Sequence, residues 1–537
     1  MVNVSVPKLG LLVAVTIGLF VCSTVMALIQ HAPTLNLGWI LSDPYYRHIT
    51  FFSFYQALFS TLLSVGFAIP VAHALSRREF KGKALLLKIF ASTLVLPVLV
   101  GVFGIVAIFG NSGIVADIFR YFDARLPFSI YGLNGILIAH VFFNLPYASR
   151  LLLHSLESIP NEQHKLCAHL GMNDWQKFRQ IEWPRMRQQL PQVAGLVFML
   201  CFTSFSAVMA LGGGPKSTTI ELAIYQAIKF DFDLQAGAIL ALWQMLLCGV
   251  LSLTLLRFSN SVPSSSGGSV SHHAKEKRQR VALFSTSHRA KIWDAAWIGG
   301  AMLLVLPPLL MVIWQGLNPK SLTILQDEKF WQALSASIQV ATLASSLALL
   351  MGIAILFTSR AWHLKGLPAR AGRLELMGTI ILVTPGIVIS TGLFLLLRDQ
   401  VDVFSLAFWV VILVNSLMAL PYIIKTLSQP MLQTAQQYQF LCQTLGMTGW
   451  TRFRLVEWRA LNKPIAHAFS ISFMFSMGDL SAVSLFGNQT FTTLPLYLFQ
   501  LLGSYQMDAA AAVSLCLLLF SVLCFALIET VFKRGSR

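Results

Sequence analysis

Few residues of this 537-residue chain are placed to do chemistry. The run Gly212-Gly213-Gly214-Pro215-Lys216-Ser217-Thr218 superficially suggests a phosphate-binding loop. That cradle needs G-x4-G-K-[ST] between a strand and a helix. Here a proline precedes the lysine and no strand-forming run leads in, so the segment reads as a tight loop returning to the next apolar stretch. His73, His140 and His467 are scattered without partners at metal-ligand spacing, and each reads as a hydrogen-bonding group inside a bundle. The seven cysteines form no CxxC: Cys22, Cys201, Cys248, Cys516 and Cys524 fall in apolar stretches, and Cys167 and Cys442 in polar loops. Neither a disulfide framework, a metal site nor a cofactor is expected from them. Asp479 stands apart, because it interrupts an apolar run where charge is costly and must face water or a partner. It would line a path through the protein or be held by a neighbouring amide or hydroxyl. Asn144 and Asn415 are weaker candidates for such a path, since hydrogen bonding between helices accounts for them.

A loop that occurs twice carries more information. Leu166–Trp183 reads LCAHLGMNDWQKFRQIEW and Leu441–Trp458 reads LCQTLGMTGWTRFRLVEW, with ten of eighteen positions identical. Connecting loops ordinarily drift in sequence, so two like copies suggest two equivalent surfaces gripping copies of one partner. Each copy reads as two short helices meeting at a turn. Asn161 would cap the first, Gly171 would end it in the left-handed conformation, and Asp174 would cap the second, which Pro184 limits. In the second copy Gly446 and Thr448 take the roles of Gly171 and Asp174. The tips present Met172, Trp175 and Phe178, and Met447, Trp450 and Phe453, with Glu182 and Glu457 completing the matched sets. Clustered Trp, Phe and Met are interface anchors when exposed; the alternative is that they tuck under their own helices.

The elements that hold these loops are set by composition. The chain is 56% hydrophobic and 11% charged, with mean hydropathy +0.69, against about 25% charge in ordinary soluble domains. An apolar run of about 20 residues crosses the hydrocarbon core as a helix. The sequence therefore predicts an all-α integral membrane protein with twelve spans, near 9–29, 51–75, 87–109, 133–155, 192–211, 235–256, 293–315, 332–357, 374–397, 404–425, 466–487 and 509–531. Val25-Met26-Ala27 weakly resembles a signal-peptidase site, but the apolar run before it exceeds the roughly 7–15 residues of a signal peptide, so the first span is read as retained.

The net charge of +17 does not point to nucleic acid, because of where it sits. Basic residues gather in alternate loops: Arg77, Arg78, Lys81 and Lys83; Lys275, Lys277, Arg278, Arg280, Arg289 and Lys291; Arg360, Lys365, Arg370 and Arg373; and the tail at Lys533, Arg534 and Arg537. The intervening loops are neutral or slightly acidic, Glu221, Asp231 and Asp233 outweighing Lys216 and Lys229. This is the positive-inside pattern, and it puts both termini in the cytoplasm. Residues 259–290 are Ser/Gly-rich and then basic, a composition for a flexible cytoplasmic linker in which His272-His273 has no metal-site context. The linker divides the chain into six-span halves, 1–258 and 291–537, with the repeated loops at about 156–191 and 426–465. Other repeats agree: Pro97 with Gly104 and Pro385 with Gly392 inside the third span of each half, Leu145-Pro146-Tyr147 and Leu420-Pro421-Tyr422, and Thr218-Thr219 and Thr492-Thr493. The prolines are read as kinks within spans. Six spans per half give the halves one orientation, hence a parallel repeat enclosing a path along its axis.

Gly171, nine residues, then Ile181-Glu182-Trp183-Pro184 is similar to the loop signature of bacterial importer permeases, EAA-x3-G-x9-I-x-L-P. Lys165-Leu166-Cys167 stands where that signature has EAA, Trp183 replaces its leucine, and the second copy has Arg459 in place of the closing proline. Segments 140–163, 211–227 and 485–505 extend the likeness over nearly the whole chain, which resembles the thiamine permease family of Gram-negative ATP-binding-cassette importers. The resemblance implies the type I importer permease fold, in an inner-membrane transport subunit that is not an enzyme. It further implies coupling through the repeated loops, two copies of a cytoplasmic ATPase, a periplasmic thiamine-binding protein, and thiamine with its phosphate esters as cargo. The alternatives are a fused permease for ferric ion or another small substrate, and an ion-coupled secondary transporter.

Overall fold

The computed structural model describes residues 8–32, 37–93, 96–124, 127–258, 288–447 and 449–534. Within them the chain is helical, with no strand among the described residues, because in hydrocarbon a helix satisfies each peptide group within its own segment. Most of the expected linker, 259–287, and the expected cap Thr448 lie outside the described residues; the linker's last three positions open helix His288–Gly316.

Among the described residues ten helices are long and apolar enough to cross a membrane, and an eleventh if Asp174–Phe202 and Phe205–Leu211, bent by 52°, count as one span. The ninth expected span, 374–397, is instead divided into Pro368–Thr379, a 3-10 turn Ile380–Val383 and Gly386–Leu397. The span expected at 87–109 is likewise split into Lys83–Ser92 and Val98–Phe109. Pro97 and Pro385 cap the second pieces, so these prolines start helices rather than kink continuous ones. Proline lacks the N–H that a helix interior needs, and it disfavours helical backbone in the residue before it. Pro146 and Pro421 do lie inside helices, Leu133–Glu157 and Ala407–Thr444.

Helices Pro44–Arg77 (34 residues) and Glu328–Leu364 (37 residues) correspond in the two halves. Each is opened by an aspartate, Asp43 accepting from the Tyr45 N–H and Asp327 from the Lys329 N–H. At 1.5 Å per residue they run about 50 Å, well beyond a hydrocarbon core of about 30 Å. Their far ends therefore reach past the bilayer and carry Arg77 and Arg360 to the repeated loops. Further along each half the repeat appears as a hydrogen bond. Ser53 Oγ accepts from the Ile220 N–H at 3.0 Å, and Ser337 Oγ accepts from the Leu494 N–H at 2.7 Å. Thr219 and Thr493 stand at the position just before the helices that begin there, without a side-chain cap.

The halves cross. The first helix, Leu9–Gln30, packs against Glu328–Leu364 and Gly386–Leu397 of the second half, and His288–Gly316 packs against Pro44–Arg77 and Val98–Phe109 of the first. The repeated glycines sit at these crossings: a Cβ on Gly104 would lie 2.3 Å from the Pro308 carbonyl oxygen, and one on Gly392 would lie 2.8 Å from that of Thr24. Arg78 Nε adds an ion pair of 2.6 Å to the buried Asp294 on His288–Gly316.

Candidate functional site

Both repeated loops gather on the face reached by the ends of the long helices. In the first copy, helix Asn161–His169 ends at Gly171, whose φ is +64°; Gly446 has φ +62° at the same place. The closing hydrogen bonds are duplicated too. Met172 N–H donates to the Cys167 carbonyl at 3.0 Å and Met447 N–H to that of Cys442 at 2.8 Å. Gly171 and Gly446 donate to Ala168 and Gln443 at 3.2 and 3.1 Å. This is the Schellman ending, whose left-handed residue favours glycine. Cys167 and Cys442 are buried within it, and burial pushes the Cys167 thiol up, a setting for packing rather than redox chemistry.

Three expectations about the loops are corrected. Asn161 is the first helical residue and makes no cap; Pro160 precedes it. Asn173, not Asp174, caps the second short helix, in a reciprocal box with Gln176 at 2.8 and 2.9 Å. Asp174 instead accepts an ion pair from Arg77 Nη2 at 3.0 Å. The second copy has no separate first helix, since Ala407–Thr444 runs without interruption into Gly446. The reason is local: Ala435 stands where the first copy has the helix-breaking Pro160.

After Trp175 the two copies share a feature invisible in the sequence, a π-helical turn at Phe178–Glu182 and at Phe453–Glu457. Such turns insert a residue into an α-helix and recur at functional sites. Here the turn swings the glutamate inward. Glu182 is buried with Oε2 2.8 Å from His73 Nε2, and the buried Glu457 pairs with Arg360 at 3.0 Å and Arg452 at 2.8 Å. His73 therefore has a carboxylate partner, and His140 accepts the bundle role through Ser60 Oγ at 2.8 Å. Phe178 and Phe453 turn inward as well, against His73 and Trp183, and against Phe357 and Trp458.

What remains outward differs from the expected tip. Trp175 is 67% exposed, while Met172, Met447, Phe178 and Phe453 are half-buried; the Trp450 side chain is outside the described set. Sequence reasoning passed over the leucines one turn apart before each glycine, Leu166 and Leu170, and Leu441 and Leu445. All four are exposed, at 51–68%. Their signal was present, since both pairs lie inside the repeated motif. Apolar stripes left open at matched positions are surfaces for a partner.

The candidate path residues sit away from the loops. Asn144 Nδ2 donates to Cys201 Sγ at 3.3 Å, and Asn415 Nδ2 to Ser476 Oγ at 3.0 Å; both asparagines are buried and tie neighbouring helices together. Asp479 lies not within a continuous helix but at the break between Trp458–Gly478 and Ser481–Phe486. Its carboxylate accepts from Ser481 Oγ at 2.7 Å and from the N–H groups of Ser481 and Ala482 at 3.2 Å. Ser204 occupies the same break in the first half. The glycine run 212–214 leads through a 3-10 turn Pro215–Ser217 to helix Ile220–Lys229, with no strand beside it among the described residues. No group of His, Cys, Asp and Glu among the described residues could hold a metal ion.

Two crossed helical halves, each carrying one anchored loop on the same face, are the architecture of a membrane permease. The chain belongs to the family of binding-protein-dependent transport system inner membrane components, whose model matches residues 56–261 and 370–536. It is thus a multi-pass inner-membrane transport subunit and not an enzyme. It is similar to the thiamine transport system permease protein ThiP of Salmonella typhimurium, 44% identical over 512 residues, covering 95% of this chain and 94% of that one. ThiP of Escherichia coli is 44% identical over 527 residues (98% and 96% of the two chains), and ThiP of Haemophilus influenzae 41% over 495 residues (91% and 89%).

Proposed function

We propose that this chain is the permease of an ATP-driven importer that moves thiamine, with its phosphate esters, across the inner membrane. The reading of the cargo rests on the thiamine permeases, which match the chain nearly end to end. The reading of the mechanism rests on one observation: the same Schellman ending and π-turn hold an exposed apolar surface at both loops. Two copies of one cytoplasmic ATPase dock there, around Gly171, Met172, Trp175 and Phe178 and around Gly446, Met447, Trp450 and Phe453. Glu182 and Glu457 act from behind, by fixing each loop to a long helix. A periplasmic binding protein delivers substrate on the opposite face, and both termini are cytoplasmic. The halves are 1–258 and 291–537, joined by linker 259–290.

Closure of the ATPase pair draws both loops together, and the ion pairs Arg77–Asp174 and Arg360–Glu457 pass that motion into helices Pro44–Arg77 and Glu328–Leu364. A motor can shift the gate only if it binds the loops differently in the two states. Asp479, Asn144 and Asn415 are the path residues proposed from the sequence, with the asparagines acting as ties between helices and Asp479 as the candidate contact.

The test is reconstitution of the permease with its ATPase and binding protein in liposomes. ATP-dependent accumulation of labelled thiamine is expected. Accumulation without ATPase, or ATP hydrolysis indifferent to thiamine-loaded binding protein, overturns the reading.

A further inference from the structure

Glu221 was grouped with an outer loop by its sequence, yet it is 3% exposed inside the bundle, and its Oε1 has no hydrogen-bond partner. It is the second residue of helix Ile220–Lys229, which packs on Gly386–Leu397 and Ser481–Phe486 of the other half. At the far end of that helix Lys229 Nζ donates to the carbonyls of Leu485 and Gly487, at 3.2 and 3.3 Å. That contact fixes the C-terminal ends of the two segments side by side. Eight residues separate Glu221 from Lys229, and a similar length separates Asp479 from Gly487. Laid in the same direction from that contact, the segments bring Glu221 level with Asp479, and Asp479 is close enough for its charge to bear on Glu221.

A third group faces the same place. Helix Leu234–Phe258 packs on Ile220–Lys229 and on Gly386–Leu397, and Cys248 on it is buried near enough to Glu221 for that charge to bear on it. Gln244, one turn earlier on the same face, is fully buried with both amide atoms unpartnered. Buried polar groups are nearly always hydrogen-bonded, and two carboxylates side by side in a low dielectric repel unless a cation or a proton joins them. The repeat does not duplicate this arrangement: Pro495 stands where Glu221 would recur, and Ser204 where Asp479 would precede. Broken helices are where membrane transporters hold their cargo, and Asp479 sits on such a break.

We propose that Glu221, Asp479 and Gln244 form one cation-recognising site between the halves. It takes a positively charged heteroaromatic ring bearing amine donors as that ring crosses the membrane. The carboxylates balance the ring charge and the amide accepts from the amine. The proposal deepens the thiamine reading and rests on it for the identity of the ring.

The experiment uses the reconstituted complex. Glu221→Gln and Asp479→Asn are each expected to raise the KM for binding-protein-delivered thiamine about tenfold, with Glu221→Asp recovering most of the loss and the ATPase still co-purifying. In a chain whose seven native cysteines are replaced by serine, the pair Glu221→Cys and Asp479→Cys is expected to cross-link on oxidation. Thiamine is expected to slow the labelling of Glu221→Cys alone by a cationic thiol reagent. A wild-type KM in Glu221→Gln, or no cross-link, overturns the site. Failure of the wild-type complex to take up thiamine, with the cross-link still forming, sinks the cargo reading instead and leaves the paired position to be probed with other organic cations.

Discussion

Glu182 meets His73 at 2.8 Å from the end of a π-turn, and this contact fastens the first repeated loop to the helix that crosses the membrane beside it. In the second half the same turn delivers Glu457 to Arg360, while Phe357 packs on Phe453 as His73 packs on Phe178. The anchoring is preserved although its chemistry has changed from imidazole to guanidinium.

Removing one partner should expose what the pair contributes. His73→Phe leaves a buried carboxylate alone and is expected to cost about 3 kcal/mol of stability. Adding Glu182→Leu should return most of it, because the stranded charge is then gone. Thermal unfolding of the purified permease, measured for both single variants and the double, checks this; equal losses in His73→Phe and in the double variant refute it.

The exposed and inward aromatics of the loop should separate cleanly. Trp175→Ala is expected to weaken ATPase binding by about 2 kcal/mol, roughly thirtyfold, as interface anchors do, with the Tm of the isolated permease unchanged. Phe178→Ala should lower that Tm. Titration of the permease with its ATPase, beside melting curves, distinguishes them.

Gly171 and Gly446 are required for backbone conformation, since a Cβ at either position would meet no atom within 4 Å. Gly171→Ala should therefore cost only the left-handed strain, about 1 kcal/mol, and Gly171→Asn less. Gly104→Val and Gly392→Val are a different case, because each drives a side chain into a backbone carbonyl of the other half. Those variants should fail to assemble, as membrane expression and size-exclusion profiles would report.

Cys167 and Cys442 should resist maleimide in the folded permease, both being 1% exposed within their helix endings. Mass spectrometry after labelling reads this directly. Modification of either in the native protein would show that the loop endings are open.

The class of fold was legible in the chain because hydrophobic runs and charge asymmetry are properties of segments, and a bilayer reads segments one at a time. The duplicated loop was legible as well: Gly171 and Gly446 announce a left-handed ending wherever the chain folds. Breaks were less so. Pro97 and Pro385 signal an interruption, but whether a proline kinks a helix or starts a new one depends on the carbonyls that its neighbours can satisfy. The ion pairs Glu182–His73, Glu457–Arg360 and Asp294–Arg78, and the packing of Phe178 on His73 and of Phe453 on Phe357, belong to the tertiary structure alone. Each joins residues distant along the chain, and for a buried charge the outcome is settled by which partner the packing brings within about 3 Å, a distance no local pattern encodes.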